Sequence, residues 1–293
     1  MPEYVSLFLQ NFPMKFVRKV KDLQEHLKSA RRKSRVIGLV PTMGALHQGH
    51  LSLVDAARND CDTIVVSIFV NPTQFNDPKD LERYPRNMEG DLELLKQYPV
   101  DFVFAPSVQE MYPEKVKKNF DLSPLDTVME GKHRPGHFNG VAQIVSKLFE
   151  SVRPDKAYFG EKDFQQLAII RKLVAMLQMN IEIIGCPIVR EEDGLAMSSR
   201  NQLLTKEERA AAPLINKALL EAVIEKQYHS PAEIRSRVTA KLNAHPLMKV
   251  DYFEIVDAHT LMPVSSWDES GKIIACIAVQ LVKVRLIDNR YFV

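Results

Sequence analysis

Two histidines three residues apart, His47 and His50, stand in the decapeptide Pro41-Thr-Met-Gly-Ala-Leu-His-Gln-Gly-His50. The run before it, Arg35-Val-Ile-Gly-Leu-Val40, is β-rich and the run after it is apolar at helical spacing, so the pair falls where a strand hands over to a helix. On a first helical turn, residues three apart share a face and can point together at one ligand. A helix N-terminus presents unpaired N–H groups and partial positive charge, and Gly44 and Gly49 let a large anion come close to the backbone. Phosphate suits that chemistry. Zinc is the competing ligand for a histidine pair, here and at His133 and His137. However, His-x-x-His lacks the i, i+4 spacing and the glutamate of a metalloprotease helix, and no cysteine joins it.

Four other segments carry polar chemistry. Asn71-Pro-Thr-Gln-Phe-Asn76 offers uncharged donors and acceptors, with Gln74 the sharper candidate for gripping a small polyhydroxylated or carboxylate substrate and Asn76 more readily read as capping a loop. In Phe159-Gly-Glu-Lys-Asp-Phe-Gln-Gln166, Gly160 would admit a ligand to the backbone, Lys162 offers an ammonium for phosphate oxygens, Asp163 sits where a helix cap belongs, and Gln166 shares its face. Taken alone, that segment is equally well read as a cap beside a solvated lysine. Asp193-Gly-Leu-Ala-Met-Ser-Ser-Arg-Asn201 outlines a phosphate clamp of two hydroxyls and a guanidinium. Lys132-His-Arg-Pro-Gly-His137 reads as a cationic loop before a helix capped by Asn139, beside a phosphate tail or simply solvated.

The elements that must position these residues follow from periodicity. Strand-like runs near 35–41, 64–70, 101–106, 156–160 and 181–185 alternate with helical ones near 50–60, 87–97, 140–152 and 164–178, which argues for a parallel sheet covered by helices. Ile64-Val-Val-Ser-Ile-Phe-Val70 is almost wholly apolar, as in a central strand buried on both faces. In such a sheet, ligands bind beyond the carboxyl ends of the strands, and three of the polar segments directly follow a strand. After residue 186 helices and strands segregate. Thr205-Lys-Glu-Glu208 opens a helix through about 226 and Ser230-Pro-Ala-Glu233 a second, before strand-like runs at 250–256, 273–279 and 284–287. The expected fold is α/β: a Rossmann-like parallel-sheet domain over residues 1–187 and a smaller α+β domain over 188–293 forming a lid.

Composition bounds the partners. The 293 residues suit about two domains, and 39 basic against 37 acidic side chains leave a net charge of +2, so nothing demands nucleic acid. Arg31-Arg32-Lys33-Ser34-Arg35 is short and reads as a solvated connector. Cys61, Cys186 and Cys276 are odd in number and widely spaced, which fits a reducing compartment, and no apolar run reaches membrane-span length. With no basic residue in 1–13 to suggest a secretory signal, a cytoplasmic protein is expected.

Five segments in order resemble those of the pantoate–β-alanine ligase (pantothenate synthetase) family: Val40–His50, Ile68–Phe75, Arg134–Val141, Tyr158–Gln166 and Arg190–Asn201. His-x-Gly-His alone marks a wide nucleotidylyltransferase superfamily; the five together are specific. Asn139 stands where the family usually has aspartate and Thr73 where leucine or methionine is common. The resemblance runs from about Met14, which reads as a helix entry, to Asn289, leaving residues 1–13 as an extension without catalytic role.

The resemblance implies a two-step reaction. Pantoate carboxylate attacks the α-phosphorus of ATP, giving pantoyl adenylate and pyrophosphate; the amine of β-alanine then displaces AMP to give pantothenate. It implies that His47, His50 (the proton donor), Lys162 and Arg200 act on the phosphates. The nucleotide would be framed by Met43, Gly44, Ala45, Leu46, His47, Gln48, Gly49 and His50, by Gly160, Glu161, Lys162 and Asp163, and by Val189, Met197, Ser198, Ser199 and Arg200. Gln74 would bind pantoate and β-alanine, Gln166 pantoate, with Asn71 also on the substrate. Magnesium on the phosphates and a homodimer are implied too, although no carboxylate cluster in the sequence identifies metal ligands. Two rivals are distinguishable: a nucleotidyltransferase that adenylates a phosphate releases no AMP, and a nucleotide-binding module consumes no ATP.

Overall fold

The computed structural model describes residues 14–114 and 118–292. The stretch 1–13, expected to be a non-catalytic extension, lies outside the described residues. In chain order the first part runs β1 (Lys15–Val17), α1 (Val20–Arg32), β2 (Ile37–Thr42), α2 (Gln48–Asp60), β3 (Thr63–Ile68), α3 (Pro78–Arg83), α4 (Met88–Leu95), β4 (Phe102–Phe104), α5 (Val108–Met111), α6 (Met129–His133), α7 (His137–Val152), β5 (Lys156–Gly160), α8 (Phe164–Met176) and β6 (Glu182–Cys186). These six strands form one parallel sheet in the order β1-β4-β3-β2-β5-β6.

Side chains of successive strand residues leave opposite faces, and here both faces are covered. Leu39 and Val65 pack with Leu23 and Leu27 of α1, Phe149 of α7 and Leu167 of α8, whereas Val40, Ile64 and Val66 pack with Leu51 and Val54 of α2 and Leu95 of α4. All six residues of β3 are buried, the reason its sequence is a continuous apolar run rather than an alternating one. Strand order reverses at β2, between β3 and β5, and a crevice opens there at the carboxyl ends of all three.

The rest of the chain runs α9 (Lys206–Ala211), α10 (Leu214–Glu225), α11 (Pro231–Asn243), β7 (Met248–Asp257), β8 (Ile273–Leu281) and β9 (Val284–Tyr291), with the strands in an antiparallel sheet β7-β8-β9. Its core of Leu219, Ile234, Phe253, Ile277 and neighbours is separate from that of the parallel sheet. Both capping boxes form: Thr205 and Glu208, and Ser230 and Glu233, exchange side-chain and backbone hydrogen bonds, each pair worth about 1 kcal/mol to its helix.

Three expectations are corrected. The single helix expected through 226 breaks between α9 and α10, because Pro213 has no N–H and its ring crowds the preceding turn. Met14 leads into the edge strand β1, which pairs with β4, rather than into a helix. Asn139 does not cap a helix; α7 already starts at His137 behind Gly136, whose φ of 81° sets the left-handed entry, and Asn139 Oδ1 accepts from the Phe120 N–H at 3.0 Å.

Candidate active site

The loop from β2 to α2 is shaped by its neighbours. Thr42 Oγ1 donates to the Ser67 carbonyl at 2.8 Å and accepts from the Gly44 N–H at 3.3 Å. Gly44 has φ +82°, and a Cβ there would lie 3.0 Å from Asp91 Oδ2 and 3.2 Å from Ile68, so both backbone conformation and space require glycine. Asp91, on α4 and 3% exposed, accepts from the N–H groups of Ala45 at 2.9 Å and Leu46 at 2.7 Å. Those two donors are therefore committed to a protein carboxylate, not open to a phosphate. Burial raises the Asp91 pKa, and the two N–H bonds oppose that rise.

His47 and His50 do not share one helical turn. His47 is the N-cap of α2, outside the helix, and His50 lies in its first turn. Their rings are nevertheless adjacent, with centroids 4.1 Å apart. His47 Nδ1 accepts from the Gly49 N–H at 3.2 Å and His50 Nδ1 from the His47 N–H at 3.3 Å, so each ring caps the backbone of the other's segment. With both Nδ1 atoms acting as acceptors, the proton of each neutral ring sits on Nε2. Burial and then the Lys162 ammonium pull the His47 pKa down to about 4; burial, His47 and Lys162 hold His50 well below its ordinary value. Two neutral Nε2–H donors result.

A cavity of about 200 Å³ opens beside them. It is lined by Met43, His47, Gly49 and His50 after β2, by Asn71 and Gln74 after β3, by Gly160 at the end of β5 and Lys162, Asp163 and Gln166 after it, and by Val189, Met197, Ser198, Ser199 and Arg200. Gly44, Ala45, Leu46, Gln48 and Glu161 do not line it: the first three are buried behind the loop, and the Gln48 side chain is exposed and donates to Tyr98. A second cavity of about 320 Å³, towards β9, shares Lys162, Asp163, Gln166, Ser198 and Arg200 as a common wall. Together the two fall within the ~300–1,000 Å³ of small-molecule sites.

The two glutamines differ in how they are held. Gln74 is buried; its Oε1 accepts from Asn71 Nδ2 at 3.1 Å and its Nε2 donates to Met43 Sδ at 3.1 Å, leaving one N–H and one lone pair for a ligand. Asn71 itself has nothing spare: its amide donates to Gln74 and to the Gly140 carbonyl, and its Oδ1 accepts from Tyr112 and Thr73. Gly140 permits that approach, since a Cβ there would sit 2.4 Å from the Thr73 carbonyl. Gln166 has no hydrogen-bond partner among the described residues and lines both cavities, whereas its neighbour Gln165 is buried and tied to the backbone of Leu125, Val128 and Glu130.

The cationic wall is assembled from both halves of the chain. Lys162 Nζ lies 3.8 Å from Asp163 Oδ2, and Asp163 sits at the N-cap of α8 without a side-chain capping bond, contrary to its expected role. Asn289 of β9 donates to the carbonyls of Glu161 and Lys162 at 2.8 and 3.0 Å, fixing that turn from the antiparallel sheet. Ser199 Oγ donates to the Ala45 carbonyl, and Ser198 Oγ accepts from the Arg200 N–H. Arg200 Nη2 donates to both oxygens of Asp80, at 3.3 and 3.0 Å, with the guanidinium over the Tyr84 ring.

Neither Asp80 nor Asp91 carries a signal in the sequence, because a lone acid on an amphipathic helix reads as a solvated face. Arg134 and His137 carry only the signal of a cationic loop. In the structure His137 is buried; its Nδ1–H donates to the Gln74 carbonyl at 2.8 Å and its Nε2 accepts from Arg134 Nη1 at 3.2 Å. Burial, then Arg134, lower its pKa to about 4.

Comparison with known proteins decides the family. The family model described as Pantoate-beta-alanine ligase matches residues 15–291. The chain belongs to the pantoate–β-alanine ligase family. The chain is 53% identical over 276 residues to the pantothenate synthetase of Bacteroides fragilis, covering 94% of this chain and 98% of that one. It is 50% identical over 278 residues to that of Fervidobacterium nodosum, with the same coverage. The crystal structure of pantothenate synthetase from Thermus thermophilus superposes with a TM-score of 0.88 at 44% identity, over 95% of this chain and 99% of that one. A pantoate–β-alanine ligase from Francisella tularensis complexed with beta-gamma ATP and beta-alanine gives 0.79 at 35%, over 95% and 98%. The doubly covered parallel sheet with a small antiparallel sheet is thus the ligase family's architecture, and its reaction is the ATP-dependent condensation of pantoate with β-alanine.

Proposed function

We propose that the cleft beyond β2, β3 and β5 carries out both half-reactions, with these roles for its residues. Pantoate lies between Gln74 and Gln166; the spare N–H and lone pair of Gln74 and the unpartnered amide of Gln166 match a carboxylate and two hydroxyls. Its carboxylate oxygen attacks the α-phosphorus, and the bond to the β-phosphate bridging oxygen breaks with its electron pair leaving on pyrophosphate. His47 and His50 donate through Nε2–H to the oxygens that gain charge, with His50 the deeper donor, and Lys162, Ser198 and Arg200 hold the triphosphate. Arg200 would exchange its contact with Asp80 for phosphate oxygens. The observation carrying this reading is the pair of backbone-fixed, neutral histidines facing one cavity with both glutamines and the cationic wall.

The remaining framing roles are proposed for backbone of Met43, Gly49, Gly160, Asp163, Val189 and Met197, which border the cavity, and a positioning role beneath Gln74 for Asn71. Gly44, Ala45 and Leu46 shape the loop rather than meet the nucleotide. β-Alanine would enter beside Gln74, and its amine would attack the acyl carbon, expelling AMP. Residues 188–293 form the lid, tied down by Asn289 and Ser199. Magnesium, held chiefly by phosphate and water, would neutralise phosphate charge; among the described residues no three His, Cys, Asp or Glu side chains form a cage, and Asp163 on the shared wall and Asp80 beside Arg200 are among the carboxylates lining the second cavity. A cytoplasmic homodimer completes the proposal; among the described residues no helix is long and apolar enough to cross a membrane. The test is ATP consumption dependent on both pantoate and β-alanine, with AMP and pyrophosphate released in equal amounts. Release of pyrophosphate without AMP in the complete mixture would overturn it.

A further inference from the structure

The cavity towards β9 has no part in the roles above beyond its shared wall. Arg134 projects into it from the C-terminal end of α6 but does not reach the histidine cavity. Its guanidinium is aimed by His137, whose Nε2 accepts from Nη1 at 3.2 Å, while Nη2 makes only a long contact of 3.5 Å to the Gln74 carbonyl. Glu130 approaches at 3.6 Å, yet that carboxylate is already taken by Tyr252 at 2.9 Å and Arg285 at 2.8 Å. Arg134 therefore has five N–H donors and two side-on partners, neither of them a hydrogen-bonded carboxylate. Its side chain is 24% exposed and lines the cavity, and its Nε has no hydrogen-bond partner among the described residues, so the guanidinium keeps donors for a ligand there.

Most carboxylates lining this cavity are committed elsewhere: Asp288 to Arg190, which grips it through both oxygens, Asp80 to Arg200, and Asp77 to capping α3; Asp163, half-exposed, faces Lys162 at 3.8 Å. Arg134 and Arg200 thus share one cavity with Lys162. A half-buried guanidinium with free donors, beside a second one and an ammonium, is matched by a polyanion of oxygens rather than by a hydroxy acid or an amine.

We propose that this second cavity is the subsite that receives the leaving pyrophosphate, with Arg134 as its binding residue beyond the Lys162–Arg200 wall. It rests on the adenylation reading. When the α-phosphorus bond to the bridging oxygen breaks, the electron pair stays on pyrophosphate; His47 and His50 meet the bridging oxygen, and the charge on the distal phosphoryl oxygens extends past the wall. Arg134 meets that charge there, while its link through His137 to the Gln74 carbonyl joins the pyrophosphate side to the pantoate side.

The test uses the full chain, with Arg134→Lys and Arg134→Gln beside the unaltered protein. Pantoate-dependent exchange of pyrophosphate into ATP, product inhibition by pyrophosphate, and pantoate affinity are measured, with thermal melting as a check on folding. Loss of a charge-assisted bond predicts pyrophosphate inhibition weaker by at least ~10-fold in Arg134→Gln, and several-fold in Arg134→Lys, which keeps charge but loses the fork. Pantoate affinity should change by less than ~2-fold, since His137 still holds Gln74. Unchanged pyrophosphate inhibition with weakened pantoate binding would reduce Arg134 to a support for Gln74 and overturn the inference. Where Arg134→Gln does not fold, the lysine variant decides alone. Absence of exchange in the unaltered protein would overturn the adenylation reading; exchange present but indifferent to both substitutions overturns only the subsite.

Discussion

Lowering the pH separates two ways in which the histidines could work. An imidazolium acid with an ordinary pKa of 6.5 would go from ~9% protonated at pH 7.5 to ~91% at pH 5.5, so a rate that needs it would rise ~10-fold towards acid. In the structure both Nδ1 atoms accept backbone N–H bonds, which favours the neutral rings, and burial with Lys162 nearby takes His47 to about 4. At pH 5.5 His47 is then still ~97% neutral. His50, held well below its ordinary value, follows the same sign. The adenylation rate should therefore change by less than ~2-fold between pH 5.5 and 7.5 and fall only as pH approaches 4, where a proton on either Nδ1 would break a capping bond. The assay is single-turnover, pantoate-dependent pyrophosphate release without β-alanine, at saturating ATP and pantoate, which keeps the amine out of the measurement. A ~10-fold rise on acidification would refute neutral-donor catalysis.

Three substitutions test the roles further. His50→Ala removes one preorganised donor and should lower the adenylation rate by at least ~100-fold with the chain still folded; near-normal pyrophosphate release would end that assignment. Gln166→Ala, at a side chain that bonds nothing in the described protein, should weaken pantoate binding by roughly 2- to 10-fold, and an unchanged calorimetric affinity counts against it. Asp91→Asn turns one of two acceptors towards Ala45 or Leu46 into a donor facing a donor, predicting a loss of about 1–3 kcal/mol in urea unfolding and a slower adenylation step; stability within about 0.5 kcal/mol of the unaltered chain would show that the loop does not depend on that carboxylate.

Much of the molecule is written locally. The alternation of apolar runs specifies a parallel sheet, because strand and helix periods are properties of a few adjacent residues, and the continuous apolar run of β3 marks a strand covered on both sides. Capping at Thr205 and Ser230 spans only four residues each and is equally legible. Likewise the five ordered motifs suffice for the family, since each lies within a dozen residues.

Tertiary structure decided which polar groups remain free to act. Asp91 takes the N–H groups of Ala45 and Leu46 from 46 and 45 positions away, turning apparent phosphate donors into scaffold. Asn71 reads as a ligand to substrate and is instead saturated by Gly140, Tyr112 and Gln74. The tautomers of His47 and His50, and the charge they carry, depend on where two rings and one ammonium meet after folding. Residue type fixes what a group can donate or accept, and that much the sequence by itself determined; which partners use up that capacity depends on packing between distant segments, and only the assembled fold settles it.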